Sequence, residues 1–162
     1  MPAILVVCTA NRIRSVMVEH LLKANLAGRP DATAWIVESA GTWTETGLPA
    51  MPKAMNALAQ RGLDASQHLS RAVDDVDMAR YDLIITMERS QRDALRAEFP
   101  QASSRIFTLS EAAIGLAYDV DDPVGRPSEQ YTETLRELDG LLLRGQEMLL
   151  EKATTLAAQR RA

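Results

Sequence analysis

Residues 4–15 read ILVVCTANRIRS, an apolar strand followed by a short loop and the start of a helix. The strand ends at Cys8, the only cysteine in the chain, and Arg14 and Ser15 open the predicted helix. A loop of this length can wrap its backbone N–H groups around an anion. The helix that follows directs further N–H groups and the positive end of its dipole to the same point. The stretch therefore predicts a phosphate site at the end of a strand.

Cys8 and Arg14 would give this site a nucleophile and a side-chain ligand for phosphate. A guanidinium can bond two phosphate oxygens at once. The positive field of the loop favours the thiolate form of Cys8, which is a good nucleophile. The pattern Cys-x5-Arg therefore indicates a phosphatase. The alternative from these residues alone is an inert, buried Cys8 and a solvated Arg14.

Predicted strands and helices alternate along the rest of the chain. After the first strand, strand patterns cover residues 34–39, 81–87 and 105–109, and helical patterns cover residues 15–27, 52–61 and 90–98. Such alternation predicts a single α/β domain over residues 1–162, with three α/β/α layers and a mainly parallel four-stranded sheet. Ligands of such sheets bind at the carboxyl ends of the strands, where Cys8 lies.

A long closing helix is predicted from about residue 128 onward. Gly140 and Gly145 weaken its middle, so the pattern permits a bend there. We expect residues 159–162 to be frayed.

The composition of the whole chain narrows the function classes. With 162 residues, 46% of them hydrophobic, the chain can bury a core of its own. A net charge of −4 argues against general binding to nucleic acid or to an anionic membrane, because both require a basic face. No apolar window approaches the roughly 18 residues that span a bilayer, and no signal-peptide pattern is present. A lone thiol fits a reducing compartment, so we expect a cytoplasmic protein.

A cysteine phosphatase also requires a proton donor, because the leaving oxygen must be protonated as it departs. Asp122 is the candidate, since Pro123 holds the residue before it in extended geometry. Asp119 and Asp121 stand close by in the sequence, and crowding of like charges would keep one acid protonated near neutral pH. The alternative from this segment alone is a solvated acidic turn or a weak calcium loop.

These motifs together resemble the low-molecular-weight protein tyrosine phosphatase family. Residues 7–15 resemble its signature loop, and Asp122-Pro123 resembles its general-acid loop. Further matches, in the order and spacing expected of bacterial members, are residues 39–42 (SAGT), His68 with Ser70 and Arg71, and residues 82–89 (DLIITMER). The resemblance covers essentially the whole domain.

The resemblance implies a two-step phosphomonoesterase that uses no metal and no cofactor. Cys8 is the implied nucleophile, Arg14 and the loop amides stabilise the phosphate oxygens, and Asp122 serves as acid and then as base. The implied phosphate-binding residues are Thr9, Ala10, Asn11, Arg12, Ile13, Arg14 and Ser15. The residues implied to hold the loop open through hydrogen bonds are Asn11, Ser15, Ser39 and His68. The implied partners are a phosphoprotein or a small aryl phosphate, with inorganic phosphate and other oxyanions as inhibitors.

Several residues depart from the family pattern around the substrate pocket. Ala10 replaces a usual glycine and would be strained if its φ is positive. Ile13 replaces a second cysteine that many members carry, so no thiol is available to trap an oxidised nucleophile. Arg12 replaces an apolar residue and could stack on an aryl ring or attract a second anion. Val124 replaces an aromatic residue, and Trp43 could supply the missing aromatic surface. We therefore assign Arg12, Trp43 and Val124 to the pocket.

Two other functions remain open at this point. An arsenate reductase is conceivable because arsenate mimics phosphate, and with one cysteine it would need an external thiol. A phosphate-binding module with weak catalysis is the other, since Ala10, Arg12 and Ile13 all alter the signature loop.

Overall fold

The computed structural model describes residues 1–162, with a parallel sheet of four strands at its centre. The strands are β1 (Ala3–Cys8), β2 (Ile36–Gly41), β3 (Leu83–Thr86) and β4 (Ile106–Thr108). Their order across the sheet is β2-β1-β3-β4, and every neighbouring pair is parallel. All four strands therefore end at the same edge of the sheet, and the predicted α/β fold is confirmed.

β1 lies between two neighbouring strands and is buried along its whole length. Because side chains alternate along a strand, Ile4, Val6 and Cys8 belong to the larger hydrophobic cluster, whereas Leu5 and Val7 belong to a smaller cluster on the opposite face. Burial on both faces explains why this strand is a continuous apolar run. The packing on both sides fixes the position of Cys8 at the carboxyl end.

Five helices cover the two faces of the sheet. They are α1 (Arg14–Ala27), α2 (Pro52–Ala59), α3 (Arg89–Glu98), α4 (Leu109–Ile114) and α5 (Ser128–Arg161). On one face α5 packs against α1, α2 and α4, while α3 covers the other face together with short 3-10 turns within residues 73–80. The three predicted layers are therefore present. None of these helices is both long enough and apolar enough to cross a membrane.

The structure shortens β2 at its start and adds the helix α4 to the predicted elements. β2 begins at Ile36 rather than at residue 34, because Ala32–Ala34 form a 3-10 turn. α4 lies where no helix was predicted, and it is only six residues long. Its N-terminus carries a capping box, in which Thr108 Oγ1 accepts from Glu111 N (3.0 Å) and Glu111 Oε1 accepts from Thr108 N (3.1 Å). The spacing Thr-x-x-Glu was the sequence signal for this helix.

The end of α5 also differs from the prediction. The helix continues to Arg161, so the expected fraying of residues 159–162 is wrong. Arg160 forms an ion pair with the buried Asp82 (2.6 Å) and donates to the carbonyl of Tyr81 (3.0 Å). These partners lie far away along the chain, so local pattern could not reveal them. α5 also runs without interruption through Gly140 and Gly145.

Candidate active site

The loop between β1 and α1 turns its carbonyl groups toward neighbouring segments. The carbonyls of Cys8 and Thr9 each accept a hydrogen bond of 2.9 Å from the segment after β2, and that of Arg12 accepts one of 3.0 Å from Met51 N. By contrast, none of the backbone N–H groups of residues 9–15 donates a hydrogen bond within the protein. Consecutive unpartnered N–H groups at a helix N-terminus form an anion-binding arrangement. We call residues 9–13 the phosphate loop.

Asn11 holds the phosphate loop in shape. It is fully buried and is the only non-glycine residue with a positive φ (56°), a conformation that asparagine tolerates better than most residues. Its Oδ1 accepts from Arg71 N (2.9 Å), so its Nδ2 faces Ser15 Oγ (2.8 Å) and Ser39 Oγ (2.9 Å). His68 Nε2 lies 2.7 Å from its carbonyl oxygen. The structure therefore brings together the four residues predicted to support the loop and adds Arg71.

Gly41, and not residue 10, is the position where the phosphate loop requires a small residue. A Cβ on Gly41 would lie 2.6 Å from Thr9 O and 3.0 Å from the carbonyl carbon of Ala10. Ala10 itself has no positive φ, so the strain considered for it does not arise. A glycine at the end of a buried strand was the available signal for close backbone approach.

Ser15 makes a directed contact with the sulfur of Cys8. Cys8 Sγ lies 3.0 Å from Ser15 Oγ, and both residues are buried. Because Asn11 Nδ2 donates to Ser15 Oγ, the serine's own proton is free to point at the sulfur. The hydroxyl can therefore donate to a thiolate at Cys8.

Arg14 is only 1% exposed, and its guanidinium is held by three oxygen partners. Nη1 donates to Glu88 Oε2 (2.6 Å) and to Val120 O (2.8 Å), while Nη2 lies 3.3 Å from Asp122 Oδ2. A buried arginine requires such partners, because an unpaired buried charge is costly. The two bonds from Nη1 leave Nε and the rest of Nη2 for a ligand.

Gln91, which is not among the predicted site residues, links Glu88, the partner of Arg14, to the phosphate loop. Its Nε2 donates to Glu88 Oε2 (3.1 Å) and to Thr9 Oγ1 (3.0 Å). Its Oε1 accepts from the backbone N–H groups of Met87 and Glu88, at 3.0 Å each. A glutamine at the third position of a helix is a capping signal, but its contact with Thr9 is visible only in the structure.

Asp122 is directed into the pocket by its own loop. Its Oδ1 accepts a hydrogen bond from Val124 N (3.1 Å), and its Oδ2 faces the Arg14 guanidinium. The following Pro123 restricts the backbone at this point. The carboxyl of Asp122 therefore lies beside the group that would bind phosphate.

The other two acids of this segment, Asp119 and Asp121, each act on a neighbour of their own. Arg89 donates two hydrogen bonds to the carboxylate of Asp119, one from Nε (3.1 Å) and one from its backbone N–H (2.8 Å). Both bonds lower the pKa of Asp119. Burial, and then the charge of Asp121, raises the pKa of Glu137. The predicted crowding therefore does not raise the pKa of Asp119, because Arg89 pairs with this acid. No group of three or more His, Cys, Asp or Glu side chains converges as metal ligands would.

A pocket of about 150 Å³ opens beside the Cys8 sulfur. It is lined by Cys8, Ala10, Arg12, Ile13, Arg14, Met51, Asp122 and Val124. Trp43, which the sequence predicts in this pocket, is not among them and is 86% exposed. Its backbone N–H donates to Thr9 O (2.9 Å), so the residue contacts the phosphate loop through its backbone. Met51 takes a place in the wall that the sequence analysis had not assigned.

His68 contacts the phosphate loop in a partly buried position that disfavours its charged form. Burial lowers its pKa below the ordinary value, and the neighbouring His20 and Lys23 act in the same direction. The bond to the Asn11 carbonyl and the charge of Glu19 oppose this shift without reversing it. The neutral imidazole can therefore donate from Nε2 to Asn11 O.

Comparison with protein families gives one match over nearly the whole chain. The family described as low molecular weight phosphotyrosine protein phosphatase matches residues 3–155.

Individual proteins and structures agree with this match. A probable low molecular weight protein-tyrosine-phosphatase, EpsP of Ralstonia solanacearum, is 33% identical over 132 residues, which are 82% of this chain and 85% of the relative. A protein-arginine-phosphatase of Bacillus subtilis is 33% identical over 139 residues, 86% of this chain and 91% of the relative. The crystal structure of the low molecular weight protein tyrosine phosphatase from T. tengcongensis has a TM-score of 0.81 and 34% identity. That alignment covers 94% of this chain and 99% of the other.

Proposed function

Since this chain belongs to the low molecular weight phosphotyrosine protein phosphatase family, we propose that it removes phosphate from phosphotyrosine side chains of proteins. It does so with Cys8 as the nucleophile, Arg14 as a phosphate ligand and Asp122 as the proton donor and acceptor. The apolar walls formed by Ala10, Ile13, Met51 and Val124 suit an aromatic ring.

In the first step the Cys8 thiolate attacks the phosphorus atom. An S–P bond forms as the bond between phosphorus and the leaving oxygen breaks, and Asp122 donates its proton to that oxygen. The N–H groups of residues 9–15 and the fork of Arg14 bind the other three oxygens, where negative charge is concentrated. The Ser15 hydroxyl stabilises the thiolate before attack.

In the second step water hydrolyses the phosphocysteine. Asp122, now a carboxylate, accepts a proton from the water as its oxygen attacks phosphorus. The S–P bond breaks, inorganic phosphate leaves, and the Cys8 thiolate is regenerated. Asp122 is protonated again and ready for the next substrate.

One observation carries this proposal. The unpartnered N–H groups of residues 9–15 surround the end of β1, and the pocket there also contains Cys8, Arg14 and Asp122. A phosphate-binding module without turnover would not need an acid beside the guanidinium. The arsenate reductase alternative is not favoured either, because the relatives described above are phosphatases by name.

Both the reduced thiol that the mechanism needs and the charge of −4 fit a cytoplasmic enzyme without nucleic acid or membrane partners.

The test is hydrolysis of an aryl phosphate in the presence of a metal chelator. We expect no detectable turnover for Cys8→Ser and a fall in kcat of about 10²-fold or more for Asp122→Asn, because general acid catalysis contributes that much. Asp121→Asn is the matched control, since it removes the same charge one residue away from an exposed side chain, and it should retain the wild-type rate. Equal rates for all the variants would refute the assignment.

The names of the relatives give two substrate classes, phosphotyrosine and phosphoarginine. We would measure phosphate release from one peptide of each class to find which of them this enzyme prefers. We expect faster release of phosphate from phosphotyrosine. Faster release from phosphoarginine would overturn the substrate class but not the mechanism.

A further inference from the structure

Arg12 presents a guanidinium in the pocket wall that no carboxylate of the protein neutralises. Its only side-chain hydrogen bond is from Nε to Pro49 O, at 2.8 Å. The other arginines around the site are paired with acids, in the pairs Arg14–Glu88, Arg71–Glu38 and Arg89–Asp119. Arg12 is therefore the one pocket residue with uncompensated positive charge.

One hydrogen bond holds the Arg12 guanidinium, and another holds the Arg12 backbone. Pro49 O holds the Nε edge, and the backbone carbonyl of Arg12 accepts a hydrogen bond of 3.0 Å from Met51 N. The planar fork leaves Nη1 and Nη2 free, and these are the atoms that bind a carboxylate with two parallel bonds. Because the side chain is already oriented, less conformational entropy is lost when an anion binds.

The phosphate of the substrate does not need this side chain. The N–H groups of residues 9–15 and the buried Arg14 already provide donors for its oxygens. Arg12 is half-buried, so its Nη groups can contact a part of the substrate that lies outside the phosphate site. The anion that fits Arg12 is therefore a second one, carried by the same substrate.

We propose that Arg12 selects phosphoprotein segments that carry an Asp or Glu carboxylate next to the phosphorylated residue. This inference rests on the proposed function, because it describes how the same site chooses among phosphoproteins. The overall charge of −4 does not attract acidic segments from a distance, so the selection depends on direct pairing with Arg12.

The test compares three phosphotyrosine peptides that differ only beside the phosphorylated residue. One carries Gln on both sides, one carries Glu before it, and one carries Glu after it. For the wild type we expect kcat/KM about fivefold higher for at least one Glu peptide than for the Gln peptide, mainly through KM, as a partly exposed ion pair would give. The ratio should fall when salt screens the pair.

The Glu-to-Gln ratio should fall to about one in Arg12→Gln, whatever the absolute rate of that variant. Arg126→Gln is the matched control, because Arg126 lies in the neighbouring loop and does not line this pocket, and it should keep the ratio. A wild-type ratio of one overturns the inference, as does an unchanged ratio in Arg12→Gln. An equal loss of activity by Arg12→Gln on all three peptides also overturns it, since it would mean that Arg12 stacks on the aryl ring.

Binding measurements separate this inference from the proposed mechanism. On the inactive Cys8→Ser background, the Kd of the favoured Glu peptide should be about fivefold lower than that of the Gln peptide, and Arg12→Gln should remove the difference. If wild type fails to hydrolyse any aryl phosphate, the proposed function fails, and the binding ratio still decides the role of Arg12. Equal binding of all three peptides, or no binding of any, overturns the role of Arg12 alone.

Discussion

At the scale of single residues, Asn11 joins more parts of the site than any catalytic group. Its side chain and carbonyl connect it to Ser15 in α1, to Ser39 in β2, and to His68 and Arg71 in the segment after α2. A left-handed backbone at a non-glycine residue persists only when its surroundings hold it. These bonds therefore keep the phosphate loop open before any phosphate arrives.

His68 makes this support sensitive to pH. Its pKa is lowered in the folded protein, mainly by burial, whereas in the unfolded chain it lies near 6.5. Between these two pKa values the unfolded state binds more protons than the folded state. The contribution of His68 to the free energy of unfolding is therefore complete above about pH 6.5. It is lost as the pH falls through the folded-state pKa. We expect the free energy of unfolding to decrease more steeply between about pH 7.5 and 5 in wild type than in His68→Gln, measured by urea denaturation at each pH.

The glutamine variant is informative because it keeps a donor for the Asn11 carbonyl but does not titrate. The difference between the two proteins should therefore change with pH. A constant difference over this range would contradict the interpretation, because it would reflect packing alone.

At the scale of elements, α4 and α5 approach each other through a glycine. A Cβ on Gly145 in α5 would lie 2.0 Å from the carbonyl oxygen of Ala113 in α4. Such an overlap cannot be relieved by turning a side chain, since the neighbouring atom belongs to the backbone. The glycine that the sequence analysis treated as a weak point of α5 is thus a contact point between two helices.

Gly140 and Gly145 provide a matched pair for testing this packing. Gly145→Ala should lower the free energy of unfolding by about 1–3 kcal/mol, as overpacking usually does. Gly140→Ala should raise it by up to about 1 kcal/mol, because nothing lies within 4 Å of its added Cβ and alanine favours a helix. Chemical denaturation of both variants checks the two signs. Similar effects for both would show that Gly145 is not a close contact.

At the scale of the whole molecule, Asp82 ties the two ends of the chain to the sheet. Its carboxylate is buried, accepts from Ala3 N at the start of β1 (2.8 Å), and pairs with Arg160 at the end of α5 (2.6 Å). Arg161 lies further from it, at 3.6 Å, and is more exposed. The last turn of α5 therefore lies beside the first residues of β1 and β3, where Asp82 connects all three elements.

Removal of the Arg160 side chain should leave a buried carboxylate with one partner fewer. We expect Arg160→Ala to lower the free energy of unfolding by about 2 kcal/mol, because unpairing a buried charge is costly. Arg161→Ala is the control and should cost less than about 1 kcal/mol, as exposed ion pairs do. Thermal or urea unfolding of both proteins tests this. Equal losses would mean that the helix end, and not the ion pair with Asp82, stabilises the fold.

Much of this architecture followed from local pattern. Residues 3–8 are apolar throughout because β1 is covered on both faces, and the loop and helix that follow it carry the phosphate site in consecutive residues. α4 escaped prediction because six residues are too few for a periodic pattern, although its capping box was present.

Local sequence was enough to predict the alternation of strands and helices, the phosphate loop and the candidate nucleophile, because each depends on residues close together in the chain. Three features became visible only in the folded chain: Glu88, itself bonded to Gln91, orients Arg14; Trp43 does not line the pocket; and Arg160 pairs with Asp82. The physical reason is the same in each case. Such contacts depend on which distant segments the parallel sheet brings to one edge, and short-range periodicity carries no information about that.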